Sequence, residues 1–193
     1  MAQRITIIQG HPDSGGNRFC HALGEAYAAG AREAGLEVKI IDVAHLDVWF
    51  LRTQAEFETG PTPPRIIEAQ EAIRWAEHLL VIYPLWLGTM PALLKAFFEQ
   101  TFRPGFAFRT GERGWGGLLK DRSARIVVTM GMPAFIYRWY FGAHGLKSLE
   151  RSILRFVGMK PIRETLIGMI GRLDEAKRRA WLDKLRALGR DGA

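Results

Sequence analysis

"TIIQGHPDSGGNRFCHAL", residues 6–23, is the stretch on which the fold turns. Ile7 and Ile8 close the apolar, β-branched run 4–9, which reads as a buried strand. Phe19, Leu23, Ala26, Tyr27, Gly30 and Ala34 follow at helical spacing over 19–34, and Gly35 supplies the C-terminal cap. Between strand and helix stand His11, Pro12, Asp13, Ser14, Gly15, Gly16, Asn17 and Arg18. A strand-to-helix turn needs only about 2 to 6 residues. This one has room to bind something.

Outward from that turn the same alternation repeats. "EVKIIDV" (37–43), "HLLVIYP" (78–84), "SARIVVTMG" (123–131) and "IRETLIG" (162–168) read as further strands. "TPP" at 62–64 opens a helix whose stripe is Ile66, Ala69, Ile73 and Ala76, with prolines tolerated in its first turn. Helices are also predicted over 91–102, over 146–158 with Gly158 as its cap, and from Asp174, where Trp181, Leu182, Leu185 and Leu188 turn inward. Residues 44–60 have no clean period. Strands that alternate with helices imply an α/β fold of three layers, α/β/α, with a five-stranded parallel sheet covered on both faces. Right-handed crossovers favour the order 2-1-3-4-5, and no linker or repeat divides the single domain expected over 1–193.

Composition narrows the partners. The formal charge is +7, yet much of it lies on one helix, where Lys177, Arg178, Arg179, Lys184, Arg186 and Arg190 alternate with Asp174, Glu175 and Asp183. That pattern is a solvated face, and no aromatics interleave with it as a nucleic-acid grip requires. Positive charge would still recruit phosphorylated cofactors. No run reaches the roughly 18 apolar residues of a membrane span. No signal-peptide pattern opens the sequence, and the lone Cys20 cannot form an internal disulfide, so a cytoplasmic location is expected.

In the order 2-1-3-4-5, ligands bind outside the carboxyl ends of strands 1 and 3. The unusual residues follow strands 1, 3 and 4: "GHPDSGGNRF", "PLWLGTMP" and "MGMPAFIYRW". The first turn enters a helix N-terminus, where free amides and the helix dipole favour an anion. It has neither a Walker ending nor a G-x-G-x-x-G spacing, so a single phosphate fits it better than a triphosphate. The second sets Trp86 beside the bare backbone of Gly88, a wall and a polar edge for a flat heteroaromatic. The third brings Thr129, Met130, Gly131 and Tyr137, with His144 further on; a phenol and an imidazole can supply protons or stabilise negative charge. The histidines lack metal-ligand spacing, and no metal is expected. Cys20 at a helix start would be favoured as a thiolate, but a nucleophilic role is set aside. Loops rich in aromatics and poor in acids suit redox chemistry carried by a cofactor.

These residues resemble the NAD(P)H:quinone oxidoreductase family of flavodoxin-like flavoproteins, the group that includes DT-diaphorase. "YPLWLGTMPALLKAFFEQTFRPGFAF" (83–108) resembles its signature most strongly; "GHP" with "FCHAL", and "TMGMPAFIY", resemble two others. The likeness implies a flavodoxin-like fold holding FMN, or alternatively FAD. FMN is preferred because the chain lacks the long C-terminal extension of some FAD-using relatives. His11 with Asn17, Arg18, Phe19 and Cys20 would hold the phosphate. Pro84, Leu85, Trp86, Leu87 and Gly88 would line the ring, and Thr129, Met130, Gly131 and Tyr137 its other edge. Tyr137 and His144 would be the catalytic pair. Here a cysteine stands at the family's asparagine position, the first loop is two residues longer, and the Tyr137–His144 spacing differs by one.

The same likeness implies hydride transfer from NADPH or NADH to the flavin and then to a quinone or similar flat acceptor. Trp86, Phe106, Phe108 and Trp115 would wall that acceptor, and a homodimer would carry the pocket at its boundary. Three other readings stay open: an electron-carrier flavodoxin, against which the positive charge argues; a regulatory subunit of a potassium-efflux system; and a cofactor-free binding module.

Overall fold

A run such as "HLLVIYP", buried at every position, is what the centre of a covered sheet demands. The computed structural model describes residues 3–111 and 114–193; Met1 and Ala2, where the single-domain span and the N-terminal reading begin, and residues 112–113 lie outside the described residues. The chain runs β1 (Arg4–Gln9), α1 (Phe19–Glu33), β2 (Glu37–Asp42), α2 (Gln54–Glu58), α3 (Pro64–Trp75), β3 (His78–Pro84), α4 (Ala92–Thr101), β4 (Phe108–Gly111), β5 (Gly114–Gly117), β6 (Ser123–Thr129), α5 (Ala134–Trp139), α6 (His144–Lys147), β7 (Ile162–Ile167) and α7 (Glu175–Arg190).

β2-β1-β3-β6-β7 form one five-stranded sheet, and every pairing in it is parallel. This is the expected order, with β6 and β7 as its fourth and fifth strands. β4 and β5 pair antiparallel in a separate hairpin that the sequence periodicity does not announce. The predicted strand 123–131 stops at Thr129. The predicted helix 146–158 is instead α6 running into a π-helix, Ser148–Arg155. Residues 44–60, without a period, hold the short α2, capped by the Thr53 hydroxyl accepting from the Glu56 amide at 3.1 Å.

Side chains alternate across the strands and build two cores. Ile8, Val81, Tyr83, Ile126 and Val128 pack with Ile66 and Ile73 of α3 and Leu94 and Phe97 of α4. Ile5, Ile7, Leu80, Ile82 and Val127 pack with Leu23 and Tyr27 of α1 and Leu185 of α7. Each such side chain contributes about 1.5–3 kcal/mol on burial. α1 and α7 lie backbone to backbone: a Cβ on Gly30 would fall 1.9 Å from the Arg186 carbonyl oxygen, and one on Gly189 would fall 2.1 Å from that of Tyr27.

Register decides where the loops emerge. Gln9 pairs with Ile82, Ile82 with Val127, and Pro84 with Thr129. The Gly10 amide donates to the Ile82 carbonyl at 2.8 Å and the Leu85 amide to that of Thr129 at 2.7 Å. The chain therefore leaves β1, β3 and β6 at one edge of the sheet.

Candidate active site

The turn after β1 is tied by its own side chains. The Asp13 amide donates to His11 Nδ1 at 3.1 Å, and Asp13 Oδ1 accepts from the Gly15 amide at 2.8 Å. Arg18 Nε lies 2.6 Å from Asp13 Oδ2. The Gly15 amide and then the Arg18 guanidinium hold the Asp13 carboxyl below its ordinary range. Gly16 takes φ +70°, which returns the chain to the helix. Arg18 is the extended N-cap of α1, and its amide donates to His21 Nδ1 at 3.3 Å. Asn17 and Arg18 are exposed and Phe19 is half-buried, its ring 5.2 Å from the Arg178 guanidinium.

Cys20 faces the other way. Its Sγ lies 3.0 Å from Thr129 Oγ1 in the buried interface of α1 with β6. Burial pushes the thiol up to about 12. The thiolate that a helix start alone would favour is therefore absent at neutral pH, and Cys20 can offer a ligand only its backbone amide. Thr129 and Met130 are likewise buried, whereas Gly131 is exposed.

After β3 the chain makes a two-residue reversal. The amides of Trp86 and Thr89 donate to each other's carbonyls, at 2.9 and 3.0 Å. Leu87 and Gly88 between them take φ +47° and +82°, as a type I′ turn requires. Trp86 is half exposed and Leu87 fully so. The Tyr137 hydroxyl donates to the Gly88 carbonyl at 3.2 Å and accepts from the Leu146 amide at 3.0 Å. Gly145 permits the contact, since a Cβ there would fall 2.3 Å from that same carbonyl. Tyr137 is thus a buried strut between the turn, α5 and α6, and burial raises its pKa. His144 stands exposed at the start of α6 with its Nε2 close over Gly142.

Two ring contacts fasten the loops together. His11 meets Trp86 edge-on with centroids 6.3 Å apart, and lies 5.2 Å from the ring of His21. Burial first, and His21 next, hold His11 below the ordinary imidazole range. His21 is absent from the residues expected from sequence. Only its place three residues after the cap, where a side chain can reach back to the cap amide, could have marked it.

The aromatic walls are not gathered with Trp86 in one chain. Phe106 lies under the Arg74 guanidinium at 5.1 Å, next to the start of β3, whereas Trp86 stands at the far end of that strand. Phe108 and Trp115, with centroids 5.5 Å apart, line a separate apolar cleft of about 300 Å³ with Phe98, Phe102 and Phe156. Phe106 and Phe108 are spent on the core; Trp115 is 67% exposed.

Residues 3–188 match the model of a family described by its flavodoxin-like fold. The chain belongs to that family. Its flavodoxin-like relatives carry the likeness read from the sequence. An uncharacterized NAD(P)H oxidoreductase of Haemophilus influenzae is 26% identical over 92% of this chain and 89% of that protein. The solved NAD(P)H:quinone oxidoreductase from Methanothermobacter marburgensis superposes with a TM-score of 0.83 at 26% identity, covering 99% of this chain and 97% of that one. An FMN-dependent NADH:quinone oxidoreductase of Hahella chejuensis is 31% identical over 58% of this chain, a match that spans 51% of its own length.

The residues present fit a phosphate-tailed planar group. His21 Nε2 is a buried polar atom with no partner beside the first amides of α1. An exposed tryptophan stands 6.3 Å from the ring of His11, which belongs to the same turn. A turn with a spare buried polar atom thus adjoins a flat wall.

Proposed function

We propose that the chain is a flavin-dependent NAD(P)H oxidoreductase acting on a quinone or similar flat acceptor. The observation that carries this is the meeting of the turns after β1, β3 and β6 at one sheet edge, fastened through His11–Trp86, Cys20–Thr129 and Tyr137–Gly88. When bound, the flavin supplies the two-electron chemistry that links NADPH or NADH to the acceptor.

The chain's own residues bind, orient and exclude water. The first amides of α1, with His11, Asn17 and Arg18, hold the phosphate of an FMN-type tail. Pro84 to Gly88 line the ring, with Trp86 as its flat wall, and Thr129 to Gly131 border its other edge. Tyr137 keeps the 86–89 turn in place, and Tyr137 and His144 are the pair we assign to balancing negative charge. A homodimer is the assembly we assign, as the family likeness implies, and Trp115 is exposed and so available to a second copy. Among the described residues no helix is long and apolar enough to cross a membrane. The free thiol of Cys20 fits a cytoplasmic setting.

The test is a visible spectrum of the purified protein, then anaerobic NADPH, then menadione. A flavin band that NADPH bleaches and menadione restores is expected. A colourless protein that takes up no FMN would overturn the assignment, and a flavin that NADPH leaves oxidised would make the protein a carrier.

A further inference from the structure

α5 follows β6 at the sheet edge that gathers the three turns, and Tyr137 ties it to the Gly88 carbonyl. Around that strut the aromatic side chains turn outward. Phe135 and Trp139, four residues apart on one helical face, are 65% and 81% exposed, and Tyr140 is 82% exposed. Phe141, half exposed, meets Tyr140 edge-on with centroids 4.9 Å apart. Trp86 and Leu87 on the neighbouring turn are exposed as well. Large apolar side chains gathered in this way mark an interaction surface.

Charge along the same run is one-sided. From Ser123 to Leu149 there is no aspartate or glutamate, while Arg138 and Lys147 lie within the run and Arg151 follows it. Arg138 is 2.5 Å from Glu164 of β7, and Glu150 is taken by Arg155 at 2.9 Å. Lys147 and Arg151 are exposed, and neither has an acidic partner among the described residues. A two-fold contact between copies through this face would lay the patch on itself and set cations against cations. The face available to a second copy is a different one, where Trp115 lies with Phe108 and Phe156.

We infer that the α5 face docks on an anionic lipid bilayer and turns the mouth of the site toward it, so that the acceptor is drawn from the membrane as a lipid-dissolved quinone. The docking itself needs no flavin; only the choice of acceptor rests on the reading proposed above. Tryptophan and tyrosine settle at the headgroup level, where Trp139 and Tyr140 would bury a ring and keep a polar N–H or O–H in water. Phe135, Phe141 and Leu87 have no polar tip and suit the acyl boundary beneath. Lys147 and Arg151 supply attraction to anionic headgroups. With no spanning helix among the described residues, such a chain would lie on the surface and leave it again. A flat quinone with a long apolar tail partitions into the same layer, and a mouth rimmed by Trp86 and Leu87 would receive it without a passage through water.

The experiment is co-sedimentation of the native chain with phosphatidylcholine vesicles that do or do not contain about one-third phosphatidylglycerol. Binding to the anionic vesicles should be about tenfold or more tighter than to the neutral ones, and about 0.5 M sodium chloride should weaken it several-fold. Trp139→Ser with Tyr140→Ser should reduce that binding about tenfold, and Lys147→Glu with Arg151→Glu should lower it to the neutral-vesicle level. Both aromatics lie on the surface, so the serine double variant should keep the native melt and its rate with menadione in the absence of vesicles. Its kcat/KM for a long-tailed quinone held in anionic vesicles should fall about tenfold. A native chain that ignores anionic vesicles, or a serine double variant that binds them unchanged, would overturn the inference. So would a serine double variant that no longer assembles as the native chain does, which would make this face a contact between copies. Vesicle binding by a native chain that reduces neither quinone would uphold the docking and overturn the flavin reading instead.

Discussion

Trp86 is a large apolar side chain left half exposed at a sheet edge, and burial against a flat partner is what such a surface lacks. Trp86→Ala is expected to lower the flavin retained on purification; unchanged flavin content would contradict the placement of the ring. His78 presents the opposite problem, an imidazole shut inside at the start of β3. Its Nδ1 is 2.7 Å from Ser123 Oγ and its Nε2 has no partner. Burial, then Arg125 and Arg163, hold its pKa down at about 4. The unfolded chain would protonate it near 6.5. Below that value the unfolded state gains a proton that the folded state refuses, so the stability present above about 6.5 is lost as pH falls toward 4. The loss should reach about 2 to 3 kcal/mol near pH 4.5. Urea melts should show it in the native chain and not in His78→Gln. Single residues of this kind are partly legible in sequence: Trp86 stands out beside Gly88. The solitude of His21 Nε2 does not, because it depends on where a backbone amide three residues earlier is spent.

At the scale of elements, the strut from Tyr137 decides how firmly the 86–89 turn is held. Leu87 sits in a left-handed conformation that a leucine adopts only at a cost of about 1 kcal/mol or more, so the turn needs an anchor. Tyr137→Phe would leave the buried Leu146 amide without its acceptor and the Gly88 carbonyl without its donor. A loss of about 1–3 kcal/mol in urea melts is expected, together with weaker flavin binding. Lower turnover at unchanged stability would instead assign the hydroxyl to proton handling. The five strands are legible because β3 is a continuous apolar run and the other four are stretches rich in β-branched residues, each followed by glycine, proline or a helix period. The β4–β5 hairpin is not, since "GWGG" has almost no strand propensity and is held in place by pairing with Phe108–Gly111. α5 and the two residues after it carry a run of aromatics whose inward and outward members only tertiary packing separates: Tyr137 is buried while Trp139 and Tyr140 are more than 80% exposed.

For the molecule as a whole, the sheet order sets the site and the α1–α7 contact closes the second core. Gly30→Ala and Gly189→Ala each place a methyl group onto a carbonyl of the opposite helix, and backbone cannot swing aside as a side chain can. Each should destabilise by roughly 1–3 kcal/mol, a fall in Tm of about 2–4 °C per kcal/mol measured by calorimetry. Alanine variants that melt with the native chain would show that the helices separate readily. The edge that gathers the three turns follows from strand order and is foreseeable from sequence. The separation of Phe106, Phe108 and Trp115 from Trp86 is not, because α4 carries the chain away from the "PLWLG" turn before these residues are reached.

The pairing of α1 with α7 also has a kinetic meaning for synthesis. α1 emerges from the ribosome early, yet the helix that lies against Tyr27 and Ala31 is translated after every strand of the sheet. The nascent chain therefore carries a greasy, unshielded stripe for most of its elongation, a standing target for holdase chaperones until α7 arrives.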